Sequence, residues 1–354
     1  MNYGATLQAF ALQRMVASFG HEAVVINYEG ATHQDLFVSW ATAKGLILNI
    51  MTLLRYRSFL SRRQRVADFR KRFLPFSSNS YASVSDLEKC VNHYGAFICG
   101  SDQVWRPNPN YEHCRVFYLD FAKQAAVKKI AYAPSFGVAS IPSSFQNMIK
   151  PWIEDIPYLS VREETGKDII AKTTERDAQV VLDPTLLMKK EQWDELVPGA
   201  FIEVETPYIL VYSTSQRGLF SELIKHIKVK TQLPIVVLSL SSLNLIPLAD
   251  RIIYDAGPCE FIKLFANASC VCTNSFHGIA FSVIYRKPFW SVPHDTANSR
   301  ISDLLSRIDL SNRQVDAADQ FPEEPLDIDF TVPSVLIEQE RMRSIAFLEM
   351  ALQN

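Results

Sequence analysis

Three places in this 354-residue chain set chemically able side chains just beyond an apolar run. The first is Ser269–Tyr285. Cys270, Val271 and Cys272 read as a short buried strand. The chain turns at Thr273-Asn274-Ser275 and continues as a helix with Ile279, Phe281, Val283 and Ile284 on its apolar side. A strand that feeds a helix directly leaves unpaired backbone N–H groups at the carboxyl edge of a sheet. Such places attract anions and are where open α/β sheets bind ligands. Asn274, Ser275 and His277 stand there. They serve such a site, or Ser275 caps the helix and His277 fills its first turn. The second place is Arg162-Glu163, directly after Tyr158–Val161. The third is Gly100-Ser101-Asp102-Gln103-Val104-Trp105, after the buried run Ala96–Cys99. An arginine fork suits planar oxyanions, and a histidine can carry a proton near neutrality.

These residues need a scaffold of strand ends. Short apolar runs alternate with helical stretches along the chain: 23–28, 96–99, 129–133, 158–161, 179–182, 208–211, 235–238, 251–254, 270–272 and 288–292. That rhythm predicts parallel sheets covered on both faces by helices. A polar, proline-containing passage over 189–206 divides the rhythm. The expected arrangement is an N-terminal α/β domain over 1–200, a C-terminal α/β domain over 201–310, and an acidic crossing with a final helix over 311–354. At the amino end, a turn at Asn2–Ala5, a helix and a strand follow one another as they would behind an earlier strand. A first strand of about five to ten residues is therefore expected ahead of them. Ser85 and Glu88 have capping-box spacing for a helix near residue 85.

Bulk properties narrow the function. Net charge is −2, which gives no overall field for nucleic acid or membrane. The six cysteines show no C-x-x-C pair and no metal spacing, and no metal is expected. Several lie in apolar runs and read as reduced, cytoplasmic residues. No apolar run reaches the ~18–20 residues of a bilayer span. Residues 55–72 are strongly basic, with Arg55, Arg57, Arg62, Arg63, Arg65, Arg70, Lys71 and Arg72 against Asp68. This is either a solvated helix face or a surface for anionic lipid or a polyanionic substrate at the inner face of a membrane.

Taken in order, Asn2-Tyr3-Gly4-Ala5-x-Leu7-Gln8-x-Phe10-Ala11-Leu12, Gly100–Trp105, Ser160-Val161-Arg162-Glu163, Asp183-Pro184-Thr185 and Ser275-Phe276-His277-Gly278 resemble the polysaccharide pyruvyl transferase family. The resemblance runs from residue 2 to about 310. It implies two doubly wound Rossmann-like domains in a GT-B-like arrangement. It also implies transfer of a pyruvyl group from phosphoenolpyruvate to two hydroxyls of one sugar, with phosphate leaving and no cofactor. The acceptor would be a glycan or lipid-linked glycan of a surface polysaccharide.

On that reading Arg162 holds the donor's phosphate or carboxylate. His277 is the general acid–base or the electrostatic partner of the departing phosphate. Asn274 and Ser275 orient the donor or His277. Asn2 and Gly4 lie where a glycine turn lets backbone approach a ligand. Ser101 and Asp102 face the acceptor, with Asp102 either accepting a hydroxyl proton or capping its own turn. Arg300 adds an anion contact beside Asn298, or is a solvated first-turn residue. His294 is a reserve candidate. Two other readings stay open. One is a GT-B-type glycosyltransferase using a nucleotide sugar, with Glu260 as a ribose ligand. The other is a non-catalytic binding protein of glycan assembly.

Overall fold

A computed structural model describes residues 3–29, 56–123, 126–213, 218–239, 248–293 and 299–353. The first half runs α1 (Tyr3–Ser18), β1 (Val25–Tyr28), α2 (Tyr56–Phe73), β2 (Phe76–Tyr81), α3 (Val84–Cys90), β3 (Ala96–Cys99), α4 (Tyr111–Phe117), β4 (Lys128–Ala131), α5 (Ser143–Glu154), β5 (Tyr158–Val161), α6 (Glu164–Thr174), β6 (Gln179–Val180) and α7 (Lys190–Asp194). The second half runs β7 (Ile209–Tyr212), α8 (Leu219–Thr231), β8 (Ile235–Leu238), β9 (Arg251–Ile253), α9 (Pro258–Asn267), β10 (Cys270–Thr273), α10 (Phe276–Ile284), β11 (Phe289–Trp290), α11 (Ser299–Arg307) and α12 (Thr331–Gln353).

Among the described residues every strand pairing is parallel. The second half forms one sheet of order β11-β10-β7-β8-β9. Its central strands β7, β8 and β10 are buried along their whole length. Strands covered on both faces must be apolar throughout, which is why they read as unbroken hydrophobic runs rather than alternating ones. The first half holds two pieces, β2-β1 and β3-β4-β5-β6. Among the described residues no strand lies between β1 and β3, and a cavity of about 700 Å³ occupies that space.

Helix α1 stands between the halves. Its Leu7, Phe10 and Ala11 belong to one apolar core that also contains Trp193, Phe261, Phe265 and Phe281. Tyr3 donates its hydroxyl to the Ala256 carbonyl at 2.9 Å. Helix α12 returns to the first half, where the Leu182 N–H donates to Ser344 Oγ at 2.9 Å and Arg341 donates to the Leu186 carbonyl at 2.9 Å.

The basic helix α2 also bridges the halves. Arg62 donates to the Ser239 carbonyl at 3.3 Å, and Arg65 donates to the Asp255 carbonyl at 2.8 Å and pairs with its carboxylate at 3.2 Å. Arg57, Arg63 and Lys71 remain exposed. Among the described residues, no helix is long and apolar enough to cross a membrane.

Two local expectations are corrected. Helix α3 begins at Val84, and Ser83, not Ser85, is its cap, accepting the Asp86 N–H at 3.2 Å. Glu88 sits in the last turn and pairs with Arg115 at 3.5 Å, so no capping box forms with Ser85. Strand β2 was not expected at all: its Phe-Ser-Ser-Asn-Ser-Tyr sequence exposes Ser78, Asn79 and Ser80, as an edge strand does.

Candidate active site

The carboxyl edge of β5 delivers Arg162 and Glu163 to the start of α6. Glu163 is consumed by structure: its Oε1 accepts the Ser135 hydroxyl at 2.8 Å and the Phe136 N–H at 3.1 Å, fixing the loop after β4. Arg162 is 3 % exposed and donates from Nη1 to Asp183 Oδ2 at 3.0 Å. Asp183 is fully buried at the head of a 3₁₀ turn, Pro184–Leu186. Its Oδ1 accepts the Thr185 N–H at 3.0 Å and the Thr185 hydroxyl at 2.7 Å. Its Oδ2 also accepts the Ser101 hydroxyl at 2.6 Å. Ser101 is set in turn by its own N–H, which donates to Gln8 Oε1 of α1 at 3.2 Å.

The second half presents His277 to this carboxylate. Its Nε2 lies 3.6 Å from Asp183 Oδ2, and the residue is 5 % exposed. The turn that carries it is tightly made. Thr273 donates its hydroxyl to the Tyr212 carbonyl at 2.5 Å and accepts the Ser275 N–H at 3.1 Å. Gly278 is required because a Cβ there would strike the Thr273 side chain. Gly4 is required on the other side: a Cβ at Gly4 would fall within the His277 imidazole, overlapping Nδ1, Cγ and Cε1. The first turn of α1 therefore lies on the ring face.

Burial alone would raise the Asp183 carboxyl. His277, the Arg162 guanidinium and the Ser101 hydroxyl outweigh it and hold the carboxyl well below the usual carboxylate range. Arg162 keeps two buried N–H groups, at Nε and Nη2, without a hydrogen-bond partner, and Arg300 Nε is likewise unmatched. Arg300 is pushed down to about 10, first by burial and then by the like charge of Arg162. The Phe276 ring covers the Arg162 guanidinium at 4.3 Å. Buried cationic donors with open valences and mutual repulsion suit a ligand that brings negative charge and several acceptor oxygens.

The remaining expected residues are placed as follows. Asn274 Oδ1 accepts the Ser213 hydroxyl at 2.8 Å, so Asn274 ties two strand ends together. Ser275 occupies the N-cap position of α10 but makes no side-chain capping bond. Asp102 caps its own turn, accepting the Gln103 N–H at 2.8 Å from a left-handed backbone (φ 80°). Arg300 is half-buried and close enough to Arg162, Glu163, Asp102 and Arg106 to feel their charges, which excludes the solvated first-turn placement. Glu260 is buried at the start of α9, where it accepts the Gly257 N–H at 2.9 Å and the Phe201 N–H at 3.0 Å. Asn2, His294 and Asn298 lie outside the described residues. Asp183 carries no assigned role in the sequence reading; its signals there are its place beyond a strand end and its membership of the Asp183-Pro184-Thr185 segment that contributes to the family resemblance.

Comparison with known proteins agrees with this architecture. Residues 2–296 match the family described as polysaccharide pyruvyl transferase. No curated protein matches the chain. Among solved structures, UDP-GlcNAc 2-epimerase of Methanocaldococcus jannaschii, in complex with UDP-GlcNAc and UDP, is 13 % identical over 99 % of this chain and 97 % of its own, with a TM-score of 0.50. Os79 of O. sativa, in complex with UDP and deoxynivalenol-3-glucoside, is 11 % identical over 99 % and 98 %, with a TM-score of 0.44. ADP-heptose LPS heptosyltransferase II of E. coli is 11 % identical over 98 % and 97 %, with a TM-score of 0.39. The fold is GT-B-like, with parallel α/β sheets in both halves and a C-terminal helix.

Proposed function

The chain belongs to the polysaccharide pyruvyl transferase family, and from that premise we propose that it transfers the pyruvyl group of phosphoenolpyruvate to two hydroxyls of one sugar in a surface polysaccharide or its precursor, forming a cyclic ketal. The observation that carries this reading is the set of unmatched buried donors of Arg162 beside His277, where two α/β halves meet. Phosphoenolpyruvate brings a phosphate and a carboxylate, and Arg162 and Arg300 offer guanidinium groups for both.

The reaction balances without a redox step. The methylene carbon of the donor gains a proton, and its central carbon accepts one sugar hydroxyl. The carbon–oxygen bond to phosphate breaks, and the second hydroxyl adds at the same carbon. Of the two protons the hydroxyls lose, one replaces that used at the methylene and the other leaves with phosphate. His277 is the group assigned to move them. Asp183 turns its carboxylate to His277 Nε2 and steadies the ring while it is charged. Asn274, by tying two strand ends together, keeps the turn that carries His277 in register. Arg162 and His277 are both nearly inaccessible here, so substrate entry requires the halves to part and the cleft then closes over the donor.

Phosphate release from phosphoenolpyruvate, measured with a glycan bearing vicinal or 4,6-type hydroxyl pairs, tests the reading. Turnover should fall at least ~100-fold in His277→Gln, the scale of lost acid–base catalysis. Unchanged turnover in both His277→Gln and Arg162→Lys would remove the site assignment. Tight binding of a nucleotide sugar, with none of phosphoenolpyruvate, would replace the reaction.

A further inference from the structure

Helix α12 is apolar on two opposite faces. Ile337, Ser344 and Ala351, each seven residues apart, are buried against the body of the fold together with Phe347 and Leu348. A surface helix normally turns charged and polar residues the other way. Here the opposite face carries Val332, Val335 and Met342, which are 51, 56 and 58 % exposed, and the exposed Ala346. With the exposed Gln339 they make the series 332, 335, 339, 342, 346. Steps of three and four in alternation are the a and d spacing of a coiled-coil seam. The helix that bears the seam is already held in place, by Ser344 on the Leu182 N–H and by Arg341 on the Leu186 carbonyl. Association through it therefore costs little further ordering.

The charges beside the seam identify what covers it. Glu338 stands on one flank, at a g position, and Arg343 on the other, at an e position five residues later. In a parallel pair of such helices g faces e of the partner, so Glu338 meets the partner's Arg343 and the contact occurs twice. An antiparallel pair sets g against g and e against e. Glu338 would then face the partner's Glu338 or the partner's Ile345, and both charges would go unmatched. Gln339 is the polar residue at the central a position, where it meets the partner's Gln339. One such residue fixes register at some cost in stability, and a side-chain amide can both donate and accept. A bilayer suits the face less well, because Glu338, Glu340 and Glu349 outweigh Arg341 and Arg343 along the helix. We propose that α12 joins two copies of this chain, as a parallel, in-register pair about a two-fold axis along the seam. The two bodies then lie on opposite sides of the pair, since each helix keeps its Ile337–Ser344–Ala351 face on its own body. The seam is about 21 Å long on a helix roughly 10–12 Å across, which falls short of the ~1,600 Å² of a standard interface, so the dimer is reversible.

The test is sedimentation of the chain over roughly 10–500 µM, the range of a weak interface. The expected result is a reversible monomer–dimer equilibrium. Met342→Glu should weaken it at least ~10-fold by burying a charge, with the circular dichroism spectrum unchanged because the side chain is exposed in one copy. Glu338→Arg and Arg343→Glu should each weaken it by setting like charges across the seam. An equimolar mixture of those two variants should restore dimers, because each then meets its opposite. Orientation is read by cross-linking. Val332→Cys and Gln339→Cys should both cross-link to themselves under mild oxidation, whereas an antiparallel pair brings at most one of these positions onto its own copy. The chain's own cysteines are buried and do not compete. A chain still monomeric at ~500 µM, a dimer indifferent to Met342→Glu, or a mixture no tighter than its parts would overturn the proposal. So would flotation of a monomeric chain with phosphatidylcholine–phosphatidylglycerol vesicles that Met342→Glu abolishes, since the face would then belong to a bilayer. None of these readouts depends on pyruvyl transfer.

Discussion

Gly4→Ala is a small change that bears on the site, because it adds one methyl group whose three nearest neighbours are all atoms of His277. That methyl would fall within the His277 imidazole. Carbon contacts settle at about 3.5–4.0 Å, so the ring or the first turn of α1 must give way by roughly 1.5 Å. His277 is 5 % exposed and packed in a tight turn, which leaves it little room. Overpacking of this kind costs about 1–3 kcal/mol of stability. A 1 Å misplacement of a reacting group costs on the order of 100-fold in rate. The assay is a double-mutant cycle with His277→Ala, read by urea unfolding and by phosphate release. In the parent, Gly4→Ala should destabilise by about 2 kcal/mol and cut turnover about 100-fold. In the His277→Ala background the methyl has space, and the stability cost should fall below about 0.5 kcal/mol. Equal costs in both backgrounds would show that Gly4 does not act through His277. Turnover within threefold of the parent would refute the placement of the ring.

Further outcomes follow from the same geometry. Arg162→Lys keeps a charge opposite Asp183 but loses the planar fork, so KM for phosphoenolpyruvate should rise at least ~10-fold while the fold survives; steady-state kinetics with circular dichroism checks both. Asp183 has a depressed carboxyl, so its contribution is present above about pH 4 and lost as pH falls below that. Asp183→Asn should cost about 3–5 kcal/mol at pH 7 and flatten the acid limb of a stability–pH curve. Asp303 is raised to about 6, chiefly by burial, with Glu164 adding and Arg307 opposing. A raised carboxyl destabilises once it ionises, so the parent should lose stability as pH rises through about 6. Asp303→Asn should gain about 1 kcal/mol at pH 8, a figure discounted for partial exposure, and no gain in thermal melts there would contradict the burial argument.

The elements that carry the site were legible because their chemistry is local. A run such as Cys270–Thr273 must be buried, and a polar turn before an apolar helix must lie at a strand end. Arg162 and His277 could therefore be picked from sequence, each as a side chain at such an end. Their relation could not. The Asp183 carboxylate that joins them comes from a third strand end, and the glycine under the imidazole is 273 positions earlier in the chain. Such contacts leave no periodicity to read. Strand β2 escaped for the opposite reason: its Ser78-Asn79-Ser80 centre faces solvent, so its backbone pairing with β1 is not mirrored in side-chain pattern. Arg300 reads as a solvated first-turn residue because helix phase alone does not show that Arg162, Glu163, Asp102 and Arg106 lie close to it. In α2, the same charge run that suggested a surface patch supplies Arg62 and Arg65 to the contact between halves.

The central claim is that the donor is phosphoenolpyruvate and that its carbon ends in a ketal. The most direct measurement is carbon-13 NMR of the purified chain with donor labelled at the methylene carbon and a glycan acceptor. The account predicts that the label appears as a methyl carbon on the glycan, one for each phosphate released, and that His277→Gln abolishes both signals together. Label recovered only as free pyruvate, or phosphate released with no methyl on the glycan, would contradict it.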